Sequence, residues 1–146
     1  MFKHILISTD GSSLGNKAAK AGIELAQALG AKVTAYYAIE QLQMIYDEGY
    51  MMDQKTIDGL EESARAAGQK RVDAIGKMAK AAGVRFASVV TQAFAPDEGI
   101  IDTAKKRKCD VIFMASHGRR GLSKLIMGSV TQKVLAHSRI PVVVYR

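Results

Sequence analysis

The sequence predicts one doubly wound, Rossmann-like α/β domain, in which a five-stranded parallel sheet of strand order 3-2-1-4-5 carries helices on both faces. The first observation is that short, apolar, β-branched segments alternate with amphipathic segments of helical period along all 146 residues. The second is that no repeat, low-complexity linker or change in composition divides the chain. Apolar residues make up 48% of it and charged residues 24%, the balance of a globular protein with one sizeable core.

The first third of the chain predicts two strands around one helix. Residues 5–9 are typical of a buried strand, and residues 10–13 are typical of a turn or a helix cap. Apolar residues of period 3.6 follow, and they predict a helix that ends at Gly30. Residues 33–39 predict the second strand.

The middle of the chain predicts a looser stretch and a long helix. The looser stretch covers residues 40–53, and the apolar stripe of the helix runs through residues 57–82 to a stop at Gly83. Arg71 interrupts that stripe.

The remaining elements continue the alternation of strands and helices. Residues 84–91 predict the third strand, and Pro96 suits the first turn of the helix that follows, with Asp97 and Glu98 at the positive end of its dipole. The last predicted elements are a strand over residues 109–115, a helix over residues 129–138 and a strand over residues 141–145.

The loop between the fourth strand and the last helix is rich in glycine and in basic residues. Its glycines and cations are Gly118, Gly121, Gly128, Arg119, Arg120 and Lys124. It ends at Ser129 and Gln132, which match a capping box where a helix begins. A helix start preceded by glycine is suited to bind phosphate, because its N–H groups are unpaired and glycine admits the anion. The same pattern fits a turn, a helix cap and a solvated loop tip, and the spacing alone leaves both interpretations open.

The predicted strand order places two loops together. In an open parallel sheet, ligands bind beyond the carboxyl ends of the strands where the order reverses, here between the first and fourth strands. Asp10 follows the first strand and His117 follows the fourth, so we expect their loops to converge on one crevice. Asp10 is either a turn former and helix cap, or a contact to ribose, base or Mg²⁺. His117 is either a phosphate contact or a cap of the strand end.

Several familiar site patterns are missing. Neither the Gly-Lys-Ser/Thr of a P-loop nor a Gly-x-Gly-x-x-Gly fingerprint follows the first strand, and no serine lies in a Gly-x-Ser-x-Gly elbow. The three histidines and Cys109 are too scattered for a recognisable metal site. A receiver domain is excluded because the third strand ends at residues 89–92 without the aspartate that it requires.

The formal net charge of +7 favours an anionic partner. No aromatic residue interleaves a basic run as a base-stacking surface requires, so the sequence predicts a small anion and no specific nucleic acid. The basic run at residues 105–108 is explained by the preference of cations for a helix C-terminus. One cysteine fits a reducing, cytoplasmic compartment. The apolar segment before Asp10 is too short for a signal peptide or a membrane span.

Three segments, residues 5–12, 116–131 and 138–144, together resemble the universal stress protein family, and the similarity runs over the whole chain. The nucleotide-binding branch of that family carries Gly-x-x-Gly, nine residues, and then Gly-Ser/Thr. Gly118, Gly128 and Ser129 match the last three of those positions, whereas Ala115 stands at the first glycine position. Alanine adds one methyl group and excludes positive φ, so we expect reduced affinity at worst.

The resemblance implies that ATP or AMP binds between the first and fourth strands, with Mg²⁺ near Asp10 when the ligand is ATP. The implied phosphate contacts begin at Gly118 and the implied ribose and base contacts lie near Asp10. The complete set of implied site residues is Ser8, Thr9, Asp10, Ala38, Met114, Ala115, His117, Gly118, Arg119, Gly128, Ser129, Val130 and Thr131.

The leading hypothesis is a cytoplasmic, homodimeric stress protein that binds an adenine nucleotide and acts by sensing or signalling rather than by turnover. A nucleotide-free dimeric scaffold is the second hypothesis. The third is a slow ATPase or self-phosphorylating protein, although no side chain stands out as a general base near Ser129 and Thr131. The dimer is expected to form by antiparallel pairing of the last strand with its own copy, because an apolar edge strand invites a partner. The residues expected in that interface are Val142, Val143, Val144 and Tyr145.

Overall fold

The computed structural model describes residues 1–40, 52–118 and 126–146. Strands and helices alternate through these residues. The elements are β1 (His4–Ser8), α1 (Ser13–Leu29), β2 (Lys32–Glu40), α2 (Gln54–Ala81), β3 (Phe86–Ala93), α3 (Pro96–Lys106), β4 (Val111–Ala115), α4 (Ser129–His137) and β5 (Val142–Tyr145).

The five strands form one parallel sheet in the order β3-β2-β1-β4-β5, which confirms the predicted fold class and strand order. β1 lies at the centre, where Ile5 pairs with Val33 of β2 on one side and with Val111 of β4 on the other. The order reverses at this central strand, so the carboxyl ends of β1 and β4 border the position where such sheets bind ligands.

Successive side chains of β1 point to opposite faces, and each face has its own apolar core. Ile5 and Ile7 pack with α1 and α2, whereas Leu6 packs with α3 and α4. All three side chains are completely buried. The apolar run of β1 is therefore what a strand covered by helices on both faces requires.

Three helices end in the same way at the amino end of the sheet. Gly30 after α1 and Gly83 after α2 adopt the left-handed conformation, with φ of 63° and 69°, so both predicted stops are confirmed. Lys108 after α3 takes the same conformation with φ of 55°. Each left-handed residue allows the amide that follows it to return to the last turn of the helix, as Cys109 N–H does to Ala104 at 2.8 Å.

Two strands begin two residues later than the sequence predicts. The third strand is Phe86–Ala93 rather than residues 84–91, because Val84 N–H donates to the Ala79 carbonyl at 2.9 Å and completes the end of α2. The fourth strand begins at Val111 rather than at Cys109, since Cys109 N–H completes the end of α3.

Most of the predicted looser stretch, residues 40–53, lies outside the described residues. Its first residue, Glu40, belongs to β2, and Asp53 caps α2 by accepting the Thr56 amide at 2.8 Å. β5 lies at an edge of the sheet, as the sequence predicts, and its side chains are half-buried. No helix in the described ranges combines the length and the hydropathy that a membrane span requires.

Candidate functional site

A cleft of about 830 Å³ opens at the carboxyl ends of β1, β2 and β4. Twelve of the thirteen residues that the sequence assigns to a site line it. They are Ser8, Thr9, Asp10, Ala38, Met114, Ala115, His117, Gly118, Gly128, Ser129, Val130 and Thr131. The thirteenth, Arg119, lies outside the described residues. The fold therefore brings residues from four separate segments of the chain to one place.

The two loops that border the cleft approach each other closely. A Cβ atom added to Gly118 would collide with the Asp10 carboxylate, so the β4–α4 loop passes directly beside the β1–α1 turn. The Gly128 amide donates to the Ser116 carbonyl at 2.8 Å, which closes the β4–α4 loop on itself. The segments after β1 and β4 thus converge, as the strand order predicts.

Side-chain bonds to the backbone hold the turn after β1. Thr9 Oγ1 accepts the Gly11 amide at 3.0 Å, and Asp10 Oδ1 accepts the Ser12 amide at 2.9 Å. Gly11 has a φ of 74°, a left-handed conformation that glycine adopts readily. Ser12 caps α1 by accepting the Gly15 amide at 3.0 Å. Asp10 is therefore a turn former, and the helix cap is Ser12.

The start of α4 differs from the sequence prediction. The N-cap is Gly128, which makes no side-chain cap bond, so the predicted capping box of Ser129 and Gln132 is wrong. Gln132 Nε2 instead donates to the Met127 carbonyl at 2.6 Å, because the helix begins one residue earlier than the pattern suggests. The amide of Gln132 donates to the Gly128 carbonyl at 3.0 Å, the first bond of the helix.

The first turn of α4 has the geometry of an anion site. The first N–H groups of any helix have no acceptor within it and carry the positive end of its dipole. In α4 these groups belong to Ser129, Val130 and Thr131, and all three residues line the cleft. The Thr131 hydroxyl donates to the Ala115 carbonyl at 2.9 Å, which fastens the helix start to the end of β4.

Neither Gly128 nor Ala115 has the positive φ that would favour glycine at its position. Gly128 has a φ of −62°, but an added Cβ would lie 3.1 Å from His117 Cα, a tight contact that glycine avoids. Ala115 lies within β4, and Lys108 is the one non-glycine residue of positive φ in the described ranges. Alanine at position 115 therefore carries no backbone strain.

The sequence profile of the universal stress protein family matches residues 1–146. The chain belongs to this family. A universal stress protein of Thermus aquaticus is 31% identical over 146 residues, which are the whole of both chains. Another, from Methanocaldococcus jannaschii, is 29% identical over 146 residues, which cover all of this chain and 83% of that protein.

Solved structures share the fold of this universal stress protein. Protein MJ0577 of Methanocaldococcus jannaschii superposes with a TM-score of 0.81 at 24% identity, covering 99% of this chain and 95% of that chain. A universal stress protein in complex with cAMP gives 0.69 at 22% identity, covering 99% and 97%. One from Archaeoglobus fulgidus in complex with dAMP gives 0.61 at 16% identity, covering 100% and 98%.

The cleft of this universal stress protein includes residues that the sequence analysis does not assign. The most informative is Arg71 of α2, whose guanidinium donates to the Asp10 carbonyl and lies 5.2 Å from the centre of the Tyr37 ring. The break that Arg71 makes in the apolar stripe of α2 is the signal that points to it. The other unassigned lining residues are Gly15, Tyr37, Ile39, Glu40, Ala64, Ala67, Pro96, Ile100, Ile126, Met127 and Gln132.

His117 lines the cleft, and its ring is oriented by a neighbour. Its Nδ1 lies 3.1 Å from Ser116 Oγ, a hydrogen-bond distance. Across the parts of the chain that the structure describes, no three or more His, Cys, Asp or Glu side chains are grouped as ligands of a metal ion.

Two buried titratable groups, His4 and Cys109, lie at the opposite, amino end of the sheet. His4 Nε2 lies 2.8 Å from Thr34 Oγ1, while His4 Nδ1 has no hydrogen-bond partner among the described residues. Burial, with a smaller effect of Lys32, lowers the pKa of the His4 imidazole below its usual 6.5. Burial, followed by the nearby Asp110 charge, raises the pKa of the Cys109 thiol to about 11. The thiol form that this raised pKa maintains is not the nucleophilic form of cysteine.

Proposed function

We propose that this universal stress protein binds an adenine nucleotide, ATP or AMP, in the cleft between β1 and β4. The observation that carries the proposal is the start of α4, where Gly128 packs against the His117 backbone and the first-turn residues face the cleft. Such helix starts attract phosphate through their N–H groups and dipole. The phosphates would lie along Gly118, Gly128, Ser129, Val130 and Thr131, and the ribose and base near Ser8, Thr9, Asp10, Ala38 and Met114.

The size of the cleft and the relatives support this ligand class. A volume of about 830 Å³ is within the range of small-molecule sites, roughly 300–1,000 Å³. Two universal stress proteins of the same fold are solved with cAMP and with dAMP. Because both ligands carry adenine, a sugar and a phosphate, they support an adenine nucleotide without favouring ATP over AMP.

When ATP is the ligand, we expect Mg²⁺ to accompany it near Asp10. Mg²⁺ in nucleotide sites is commonly held by substrate phosphates together with one or two carboxylates. One Asp10 carboxylate oxygen lies beside the Gly118 position, on the side of the cleft that leads to α4. The phosphates would supply most of the remaining ligands.

In this proposal the protein is a cytoplasmic sensor or signalling module rather than an enzyme. Turnover needs a general base within reach of the attacking group. The Thr131 hydroxyl is bonded to the Ala115 carbonyl and is buried, which does not favour self-phosphorylation at that residue.

Mass spectrometry of the nucleotide released from purified, heat-denatured protein tests the proposal. ATP or AMP in near-stoichiometric amount is the expected result. Mostly ADP would indicate a slow ATPase. No released nucleotide, together with no heat of binding in titrations with ATP and with AMP, would leave the nucleotide-free scaffold as the better description.

We also propose that the protein is a homodimer that pairs β5 antiparallel with its own copy. The Ile112 and Ser116 amides donate to the Pro141 and Tyr145 carbonyls, so by the alternation of a strand the backbone groups of Val144 face away from β4. Val144→Pro should therefore give a monomer in light scattering and keep its circular dichroism spectrum. A parent protein that is already monomeric at micromolar concentration would contradict the proposal.

A further inference from the structure

Asp10 and Arg71 together occupy a space that three glycines leave open. A Cβ atom on Gly11 would collide with the Arg71 guanidinium. A Cβ on Gly15 would lie 2.7 Å from Asp10 Oδ1, and one on Gly118 would collide with Asp10 Oδ2. These glycines come from the turn after β1, from the first turn of α1 and from the loop after β4, so three segments are shaped around one pair of side chains.

The Arg71 side chain is held from two directions. Its guanidinium donates to the main-chain carbonyl of Asp10, and it lies 5.2 Å from the centre of the Tyr37 ring, within the range of a cation–π contact. Arg71 and Asp10 are 61 residues apart in the chain, so this contact joins α2 to the turn after β1. Ala64 and Ala67, on the same face of α2, line the cleft beside it with small side chains.

We propose that Arg71 is a positioning residue for the ribose end of the bound nucleotide. It holds the carbonyl of Asp10 while the Ser12 amide holds the Asp10 carboxylate, so both ends of this residue are fixed before the ligand arrives. A fixed carboxylate after a strand is suited to accept the hydroxyl protons of a ribose. The inference rests on the proposed function, because it assigns a task to a residue of that same site.

The position of Arg71 explains why it acts through Asp10 rather than on phosphate. Three of the proposed phosphate contacts lie in the first turn of α4, whereas Arg71 contacts the turn after β1 and the ring of Tyr37 on β2. Ribose is common to adenosine, AMP and ATP, so displacing Asp10 should weaken all three ligands. With ATP, the loss of the proposed Mg²⁺ contact to Asp10 adds to the loss of the ribose contact.

The experiment is a calorimetric titration of the parent protein and of Arg71→Met with adenosine, AMP and ATP plus Mg²⁺. We expect Arg71→Met to weaken adenosine and AMP by about three- to tenfold, the range of one hydrogen bond of ordinary strength, and ATP with Mg²⁺ by at least that factor. Arg65→Met is the matched control, because Arg65 lies on α2 but borders a separate depression with Asp58 and Glu61. Tyr37→Leu removes the ring under the guanidinium and should therefore lose part of the affinity.

The outcomes separate this inference from the proposed function. If the parent protein binds the nucleotides and Arg71→Met binds them equally well, Arg71 has no positioning role and the nucleotide site stands. A loss confined to ATP with Mg²⁺ would also overturn the inference, since it would assign Asp10 to the metal ion. If the parent binds none of the three ligands, the proposed function and the inference fail together. Melting curves for each variant show that the compared proteins are folded.

Discussion

The two ends of the parallel sheet use glycine for different physical reasons. At the amino end, Gly30 and Gly83 have positive φ, and an added Cβ would meet no atom within 4 Å. At the carboxyl end, Gly128 has an ordinary φ, but an added Cβ would lie 3.1 Å from the His117 backbone. Gly30 and Gly83 therefore supply backbone freedom where helices end, whereas Gly118 and Gly128 leave space where the cleft opens. Gly11, in the turn after β1, does both.

Because of this difference, we expect substitutions at the two ends of the sheet to affect different properties, namely the free energy of unfolding at one end and ligand affinity at the other. A substitution at the amino end should change the free energy of unfolding and leave ligand affinity unchanged. Substitution of Gly118 or Gly128 at the carboxyl end should do the reverse, because these two glycines border a cleft rather than the apolar core. Two pairs of side chains follow the same division, since His4 and Cys109 are buried at the amino end whereas Asp10 and His117 line the cleft.

The largest expected effect is at Gly128. Gly128→Val places a branched side chain against the His117 backbone and in the path of the phosphates. Losing one charge-assisted hydrogen bond, worth about 1.5–3 kcal/mol, should weaken ATP by about ten- to two-hundredfold. Calorimetric titration with ATP and Mg²⁺, alongside a melting curve, measures both effects. Unchanged affinity in a folded Gly128→Val protein would mean that the start of α4 is a turn and a helix cap only.

Gly118→Val provides a second test at the same end of the sheet. Its Cβ would collide with the Asp10 carboxylate, so the side chain of Asp10 has to move. We expect a loss of ATP affinity of about tenfold or more from this displacement together with the obstructed phosphate path. Gly118 is exposed and contributes nothing to the core. The melting temperature of the Gly118→Val protein should therefore stay close to that of the parent.

The comparison also shows what the sequence could and could not predict. The strand order, the helix stops at Gly30 and Gly83, and the convergence of the loops at Asp10 and His117 follow from local patterns and general rules of parallel sheets. The position of Arg71 does not, because a basic residue in an apolar stripe can point to solvent or into a cleft, and its contact with Asp10 spans 61 residues.

The local errors have an equally physical origin. Val84 and Cys109 are apolar and precede strands, so periodicity assigns them to the strands. Their amides instead complete the last turns of the preceding helices, with Gly83 and Lys108 in the left-handed conformation. The predicted capping box at Ser129 is wrong for a similar reason, because Gly128 is the N-cap and Ser129 is already helical. The sequence pattern alone does not show which residue is the first of the helix.

At the amino end, one pair of substitutions should shift stability in opposite directions. Gly30→Ala forces a Cβ into the left-handed region and should lower the free energy of unfolding by about 1–2 kcal/mol. Lys108→Gly removes the same penalty and should raise it by about 1 kcal/mol. Denaturant unfolding measures both, and ATP affinity should stay at the parent value in each. A change in ATP affinity in either variant would contradict the expectation that substitutions at the amino end affect stability only.

Acidification should destabilise the amino end through His4. Its pKa is lowered by burial, so the folded state resists protonation that the unfolded state accepts below pH 6.5. The stability associated with neutral His4 is therefore complete above pH 6.5 and is lost as the pH falls towards the lower folded-state pKa. Denaturant midpoints measured between pH 7.5 and about pH 5 should decline. The decline should be smaller in the double variant His4→Leu, Thr34→Val, which removes both hydrogen-bonding partners.

Cys109 should be chemically inert in the folded protein. Burial raises the pKa of its thiol to about 11, and the thiolate is the form that reacts with alkylating reagents. Intact-mass measurement after iodoacetamide treatment at pH 8 should show the unmodified chain. The same treatment in guanidinium chloride should add one carbamidomethyl group. Rapid modification of the native protein would show that the amino end of the sheet opens more readily than its packing indicates.

The smallest expected effect is at Ala115, where the family motif has glycine. Ala115 lies in β4, pairs with Tyr145 of β5 and offers its carbonyl to the Thr131 hydroxyl, so its backbone is already set by three elements. No positive φ is needed, and alanine therefore excludes nothing that the strand uses. Ala115→Gly should bind ATP as well as the parent or slightly better, because only one methyl group leaves the cleft wall. It should also lower the free energy of unfolding by about 0.5–1 kcal/mol, the usual entropic penalty of glycine within a regular element. A gain in ATP affinity of tenfold or more in calorimetric titration would contradict this, and would show that the methyl group of Ala115 obstructs the nucleotide.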